Sequence, residues 1–115
     1  MTVVDNPNKT KQSSGYDPMD VVRDQIPVEE LLCQLAEECT ELAQAALKLR
    51  RTYSVVNPTP VKRKEAINGV IEEIADVKLC LHACGFEKVA TLIECNRIMG
   101  AKAERWVERL KEGCV

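Results

Sequence analysis

The chain has 115 residues, 45% hydrophobic but only 3% aromatic, a size for one domain and a composition rich in helix formers that points to helices rather than a sheet. A net charge of -2 argues against gripping a nucleic-acid polymer through a bulk positive field. No apolar run approaches a membrane span, and with no signal peptide at the start the expected location is cytoplasmic.

Residues 1–15 are polar, lack periodicity and end in Gln12-Ser13-Ser14-Gly15, which predicts a flexible tail before a single all-α domain over 16–115. Asp17-Pro18 is a helix-start signal, Asp as the cap and Pro in the first turn. It predicts a short helix from Pro18 to Asp24, interrupted near Ile26-Pro27. A long helix follows from Pro27 to Thr52, its apolar stripe marked by Leu31, Leu35, Leu42, Ala45 and Leu49. Its last turns carry Lys48, Arg50 and Arg51, which suit the negative end of the helix dipole.

Ser54-Val55-Val56-Asn57-Pro58-Thr59-Pro60 reads as a loop, because two prolines flanking a threonine do not continue a helix. Thr59 is the expected cap of the second long helix, with Pro60 in its first turn and Gly85 ending it. Val70, Ile74, Val77 and Leu81 mark its stripe. Gly69 lies within it at a cost of roughly 1 kcal/mol relative to Ala. A close helix approach, room for a ligand or a neutral surface position each explain it. The third long helix runs from Glu87 to Lys111, with a stripe of Val89, Leu92, Ile93, Met99, Ala103, Trp106, Val107 and Leu110. Asn96 falls on that stripe, as a packing hydrogen bond or a nucleotide contact, while Lys102, Arg105 and Arg109 line one flank. The fold class is therefore all-α, a bundle of three long helices plus a short N-terminal one. A second apolar row on the first long helix, Leu32, Ala36, Cys39 and Ala43, calls for partner helices and completion by oligomerisation.

Cysteine usage adds little chemistry. Cys33, Cys39, Cys80, Cys84, Cys95 and Cys114 mostly fall inside helical patterns and read as reduced small hydrophobes. In Cys80-Leu81-His82-Ala83-Cys84 the two cysteines share a helix face while His82 points elsewhere, which disfavours zinc. With one histidine there is no Glu-x-x-His pair for a di-iron bundle and no credible nucleophile triad. No Gly-rich phosphate loop is present either.

The chemistry-bearing residues are acidic. Glu38 lies on the first stripe between Leu35 and Leu42, with Glu41 one turn later. On the second long helix Glu73 lies beside Val70 and Val77, with Asp76 one turn on. Two carboxylates three residues apart, at or beside each packing surface, repel one another and resist burial unless a cation sits between them. Solvated surface acids are the plain alternative for either pair alone. Two pairs on consecutive helices favour a hard divalent cation, Mg²⁺, with Mn²⁺ as a substitute.

The pattern Glu38-x-x-Glu41 followed by Glu73-x-x-Asp76, within Leu35-Ala36-Glu37-Glu38-Cys39-Thr40-Glu41-Leu42-Ala43 and Glu72-Glu73-Ile74-Ala75-Asp76-Val77, resembles the MazG-like all-α nucleoside triphosphate pyrophosphohydrolases. That superfamily includes dimeric dUTPases and dCTPase-type enzymes. The resemblance spans roughly Pro27 to Leu110. It implies Mg²⁺-dependent cleavage of a nucleoside triphosphate between the α and β phosphates, with Glu38, Glu41, Glu73 and Asp76 as metal-binding and catalytic residues. It further implies phosphate contacts from the basic stretch after the metal helices, Lys102 first and Arg105 second, and a homodimer or dimer of dimers as the working form. The sequence leaves base and sugar specificity open, with Tyr16, Tyr53 and Trp106 as the few residues able to stack on a base. The competing expectation is a non-catalytic helical interaction or regulatory module that retains a metal or nucleotide site.

Overall fold

A computed structural model describes residues 15–56 and 60–113. It is all-α, with four helices: α1 (Pro18–Gln25), α2 (Val28–Arg51), α3 (Arg63–Ala83) and α4 (Val89–Lys111), and no strand among the described residues. The backbone divides between Cys84 and Gly85 into two units, so α1 to α3 are described together and α4 by itself.

Local chemistry explains most boundaries. Asp17 caps α1, its Oδ1 accepting from the Met19 amide at 3.0 Å, and Pro18 occupies the first turn. Both satisfy or remove N–H groups that a helix start leaves unpaired. Pro27 then restarts the chain at the mouth of α2, where Glu29 and Glu30 meet the positive end of the dipole. Gly85 follows α3 at a φ of 86°, the left-handed conformation expected just beyond a helix end.

Two predicted starts are corrected. The second long helix begins at Arg63 after an extended Lys62, and Pro60 lies in a bend before it rather than in its first turn. Tertiary contacts choose the later start. Arg63 donates to the Thr52 carbonyl at 3.0 Å and to Thr52 Oγ1 at 3.3 Å, with its guanidinium 3.8 Å from the Tyr53 ring centroid. The Thr59 cap and the residues 1–14 of the expected tail lie outside the described residues. The third long helix starts at Val89, not Glu87, because residues 84–87 are spent on the turn around Gly85.

Helices α2 and α3 pack antiparallel, the Thr52 end of one meeting the Arg63 start of the other. Along α2 the residues drawn away from solvent are Leu31, Leu35, Glu38, Leu42, Ala45 and Leu49. These are the predicted stripe with Glu38 on it. On α3 the packed face is rotated from the predicted one. It runs through Ala66, Val70, Glu73, Val77 and Cys80, whereas Ile74 is 41% exposed. Glu73 and Asp76 thus stand within the packed face rather than beside it.

Helix α1 closes one end of the pair. Met19, Leu31 and Ala83 form a small core, with Val22 and Cys84 against it. Arg23 donates to the His82 carbonyl at 2.9 Å and to Asp20 at 3.0 Å, and His82 Nε2 lies 3.8 Å from Asp17. This core is thin. Among the described residues, Met19, Leu31, Ala66 and Ala83 are the buried hydrophobic ones, while Leu32, Leu47, Ile67, Ile71 and Leu79 are exposed. In α4 no residue is buried, and the predicted stripe is open to solvent, with Val89 at 72% and Trp106 at 61%. Asn96 shares that exposure in the single chain.

Candidate metal centre

Antiparallel packing brings the two acidic turns face to face. Glu38, Glu73 and Asp76 each place a carboxylate oxygen within 4.8 Å of the other two. Oxygens that close can share one hard divalent ion, whose opposite ligands lie twice a metal–oxygen bond of about 2.0–2.6 Å apart. Three of the four predicted ligands therefore converge. Glu41 stands on the exposed flank of α2, outside the three. Among the described residues, Cys80, His82 and Cys84 form no such group.

The cluster is electrostatically unsettled. Gln34 Nε2 donates to Glu38 Oε1 at 3.0 Å from one turn earlier. Glu73 Oε2 is shut away from solvent and has no hydrogen-bond partner. Desolvation raises the Glu73 pKa above the ordinary 4.5, and the charges of Asp76, Glu38, Glu41 and Glu72 raise it further. A desolvated carboxylate oxygen without a donor is costly, and either a proton or a cation relieves it. Cys80, beside the cluster, is held in its thiol form by burial and then by Glu38, Cys84 and Asp76. That lowers its thiolate fraction and hence its nucleophilicity. The carboxylates and their orphaned oxygen fit an oxygen-loving divalent ion.

An open groove of about 330 Å³ runs between α2 and α3 from this cluster, lined by Glu41, Gln44, Ala45, Lys48, Arg51, Gly69 and Glu73. Lys48 and Arg51 are functional candidates that the sequence hid, since a helix C-terminus alone accounts for basic residues there. Gly69 answers the question its cost raised. A Cβ added there would meet nothing within 4 Å, so no close helix approach requires the glycine. It leaves the groove wall bare.

Lys102 and Arg105 lie on α4, both exposed, in the other unit. Among the described residues no helix is long and apolar enough to cross a membrane. No family model, curated protein or solved structure matches the chain.

Proposed function

We propose that the protein is a Mg²⁺-dependent nucleoside triphosphate pyrophosphohydrolase of the MazG-like kind, producing nucleoside monophosphate and pyrophosphate. The observation that carries this reading is the convergence of Glu38, Glu73 and Asp76 around an orphaned Glu73 oxygen. The likeness of the two motifs to the signature helices of that superfamily supplies the reaction type. A nucleotide-pool housecleaning role follows from the same likeness.

Glu38, Glu73 and Asp76 would hold Mg²⁺. When bound, it supplies Lewis-acid polarisation of the α-phosphorus and acidifies a coordinated water. The remaining work falls to this chain's own groups. We assign acceptance of the attacking water's proton to Glu41, whose charge acts on Glu73 but which lies outside the three. The water oxygen forms the new bond to the α-phosphorus, the bond to the bridging oxygen breaks, and pyrophosphate leaves with its electron pair. Gln34 fixes the Glu38 carboxylate, so that less ordering is left for the moment of reaction. Lys102 and Arg105 on α4 are the motif-derived phosphate contacts.

The working form we propose is a homodimer or a dimer of dimers in the cytoplasm. Exposed large apolar residues on each of α2, α3 and α4 support it, because burying them against a partner is favourable.

The deciding experiment incubates purified protein and Mg²⁺ with each common and deaminated nucleoside triphosphate and detects pyrophosphate directly. Pyrophosphate with the matching monophosphate is expected, and Glu38→Gln or Asp76→Asn should abolish it with helix content intact. Release of single phosphate, or retained turnover in either variant, would overturn the reading. Absence of turnover from folded, Mg²⁺-loaded protein would favour a helical interaction module instead.

A further inference from the structure

The groove beside the acidic cluster has a chemistry of its own. Along α2, Glu41, Gln44, Lys48 and Arg51 recur every three or four residues and share one face. All four line the groove, with Gly69 and Glu73 opposite on α3. One end is therefore acidic and the other basic. Neither Lys48 nor Arg51 has an ion-pair partner among the described residues.

Lys48 and Arg51 follow Glu41 and Gln44 along α2, at the end of the groove away from the acidic cluster. Lys48 is seven residues beyond Glu41, about 10 Å along the axis. A volume of about 330 Å³ is at the small end for organic ligand sites, which span about 300–1,000 Å³. The lining includes no aromatic ring to stack on a base and no large apolar side chain. It does hold two unpaired cations and one amide, the groups that bind phosphate oxygens.

We propose that this groove is a polyphosphate subsite in which Lys48 and Arg51, with Gln44 between them and the acidic cluster, hold the phosphate chain of a nucleotide bound at that cluster. The assignment rests on the nucleotide reading above and extends it to residues that no motif marks. It also accounts for Gly69: a bare helix wall lets a chain of phosphate oxygens lie close against α3. The basic end draws the β and γ phosphates away from the repelling carboxylates, which orients the substrate along the groove.

The test is calorimetric titration of the full chain with inorganic tripolyphosphate in the presence of Mg²⁺, alongside the turnover panel. Wild-type protein should bind, with affinity falling as salt rises. Lys48→Gln and Arg51→Gln should each weaken binding about tenfold or more, the scale of a lost charge-assisted hydrogen bond, and Lys48→Arg should largely restore it. Circular dichroism should show unchanged helix content in all of them. In turnover, the glutamine variants should show raised KM.

Tripolyphosphate binding by wild type that both glutamine variants retain would overturn the proposal. So would no binding by wild type, or loss of binding only on Lys102→Gln and Arg105→Gln. Because the titration does not depend on turnover, it separates failure of this subsite from failure of the pyrophosphohydrolase reading. A wild type that cleaves nucleotides while ignoring Lys48 and Arg51 loses the subsite alone.

Discussion

Replacing Gly69 with alanine tests the groove from its least conspicuous residue. The position is interior to α3, where alanine is favoured over glycine by about 1 kcal/mol. No clash opposes that gain, because the added methyl meets no atom within 4 Å. For a domain near this size the gain raises Tm by about 4–8 °C. The same methyl enters the groove, where crowding a bound ligand costs at least about 1 kcal/mol, or fivefold in affinity. Gly69→Ala is thus expected to be more stable and a poorer binder of Mg²⁺-tripolyphosphate, and Gly69→Leu poorer still. Gly100→Ala is the control. It sits inside α4 with the same open surroundings and should gain stability with binding unchanged. Thermal unfolding by circular dichroism and the phosphate titration read the two effects separately. A destabilised Gly69→Ala would refute the steric argument, and unchanged affinity in Gly69→Leu would refute the placement of the ligand.

Three further outcomes follow from other parts of the molecule. The raised Glu73 pKa favours its protonated form in the folded state, so its stabilising contribution is present at pH below the ordinary 4.5 and is lost as pH rises through the raised value. Glu73→Gln should therefore stabilise metal-free protein against urea at pH 7 but not at pH 4. Mg²⁺-dependent stabilisation of wild type should conversely grow as pH rises across that window, because ion and proton compete for the same oxygen; Mg²⁺ protection equal at both pH values would contradict it. Arg63→Ala removes the bonds to Thr52 and the contact with Tyr53, with an expected loss of about 1 kcal/mol in denaturant titration. Light scattering should give a dimer or larger, and glutamate at exposed Leu32 or Ile71 should shift it toward monomer, whereas a stable wild-type monomer would sink the oligomer reading.

Much of α2 was legible before any coordinates, because its apolar residues recur at one helical period. The packed positions, Glu38 included, are those the period picks out. Helix α3 was less legible. The period picked Val70, Ile74, Val77 and Leu81 as the stripe and set Glu73 beside it. Packing against α2 shifted that choice, turning Glu73 inward and Ile74 outward. The start of α3 was misplaced for a related reason: a proline is a local signal, and the tie from Arg63 to Thr52 and Tyr53 is not. At the site, spacing selected all four carboxylates but not which three would meet. Lys48 and Arg51 were visible only as basic residues at a helix end. Their relation to Gly69 exists across two helices and has no trace in either segment read alone.

The clasp of Arg63 onto Thr52 and Tyr53 also has an evolutionary consequence. It fastens α2 to α3 at residues eleven apart in sequence, so the alignment of Glu38 with Glu73 does not depend on the chain that runs between the fastened ends. The cost of closing a connector between two fixed ends grows only slowly with its length, by about 0.6 kcal/mol per doubling. Residues added to or removed from this connector, or a peptide grafted into it, should therefore leave the carboxylates in register.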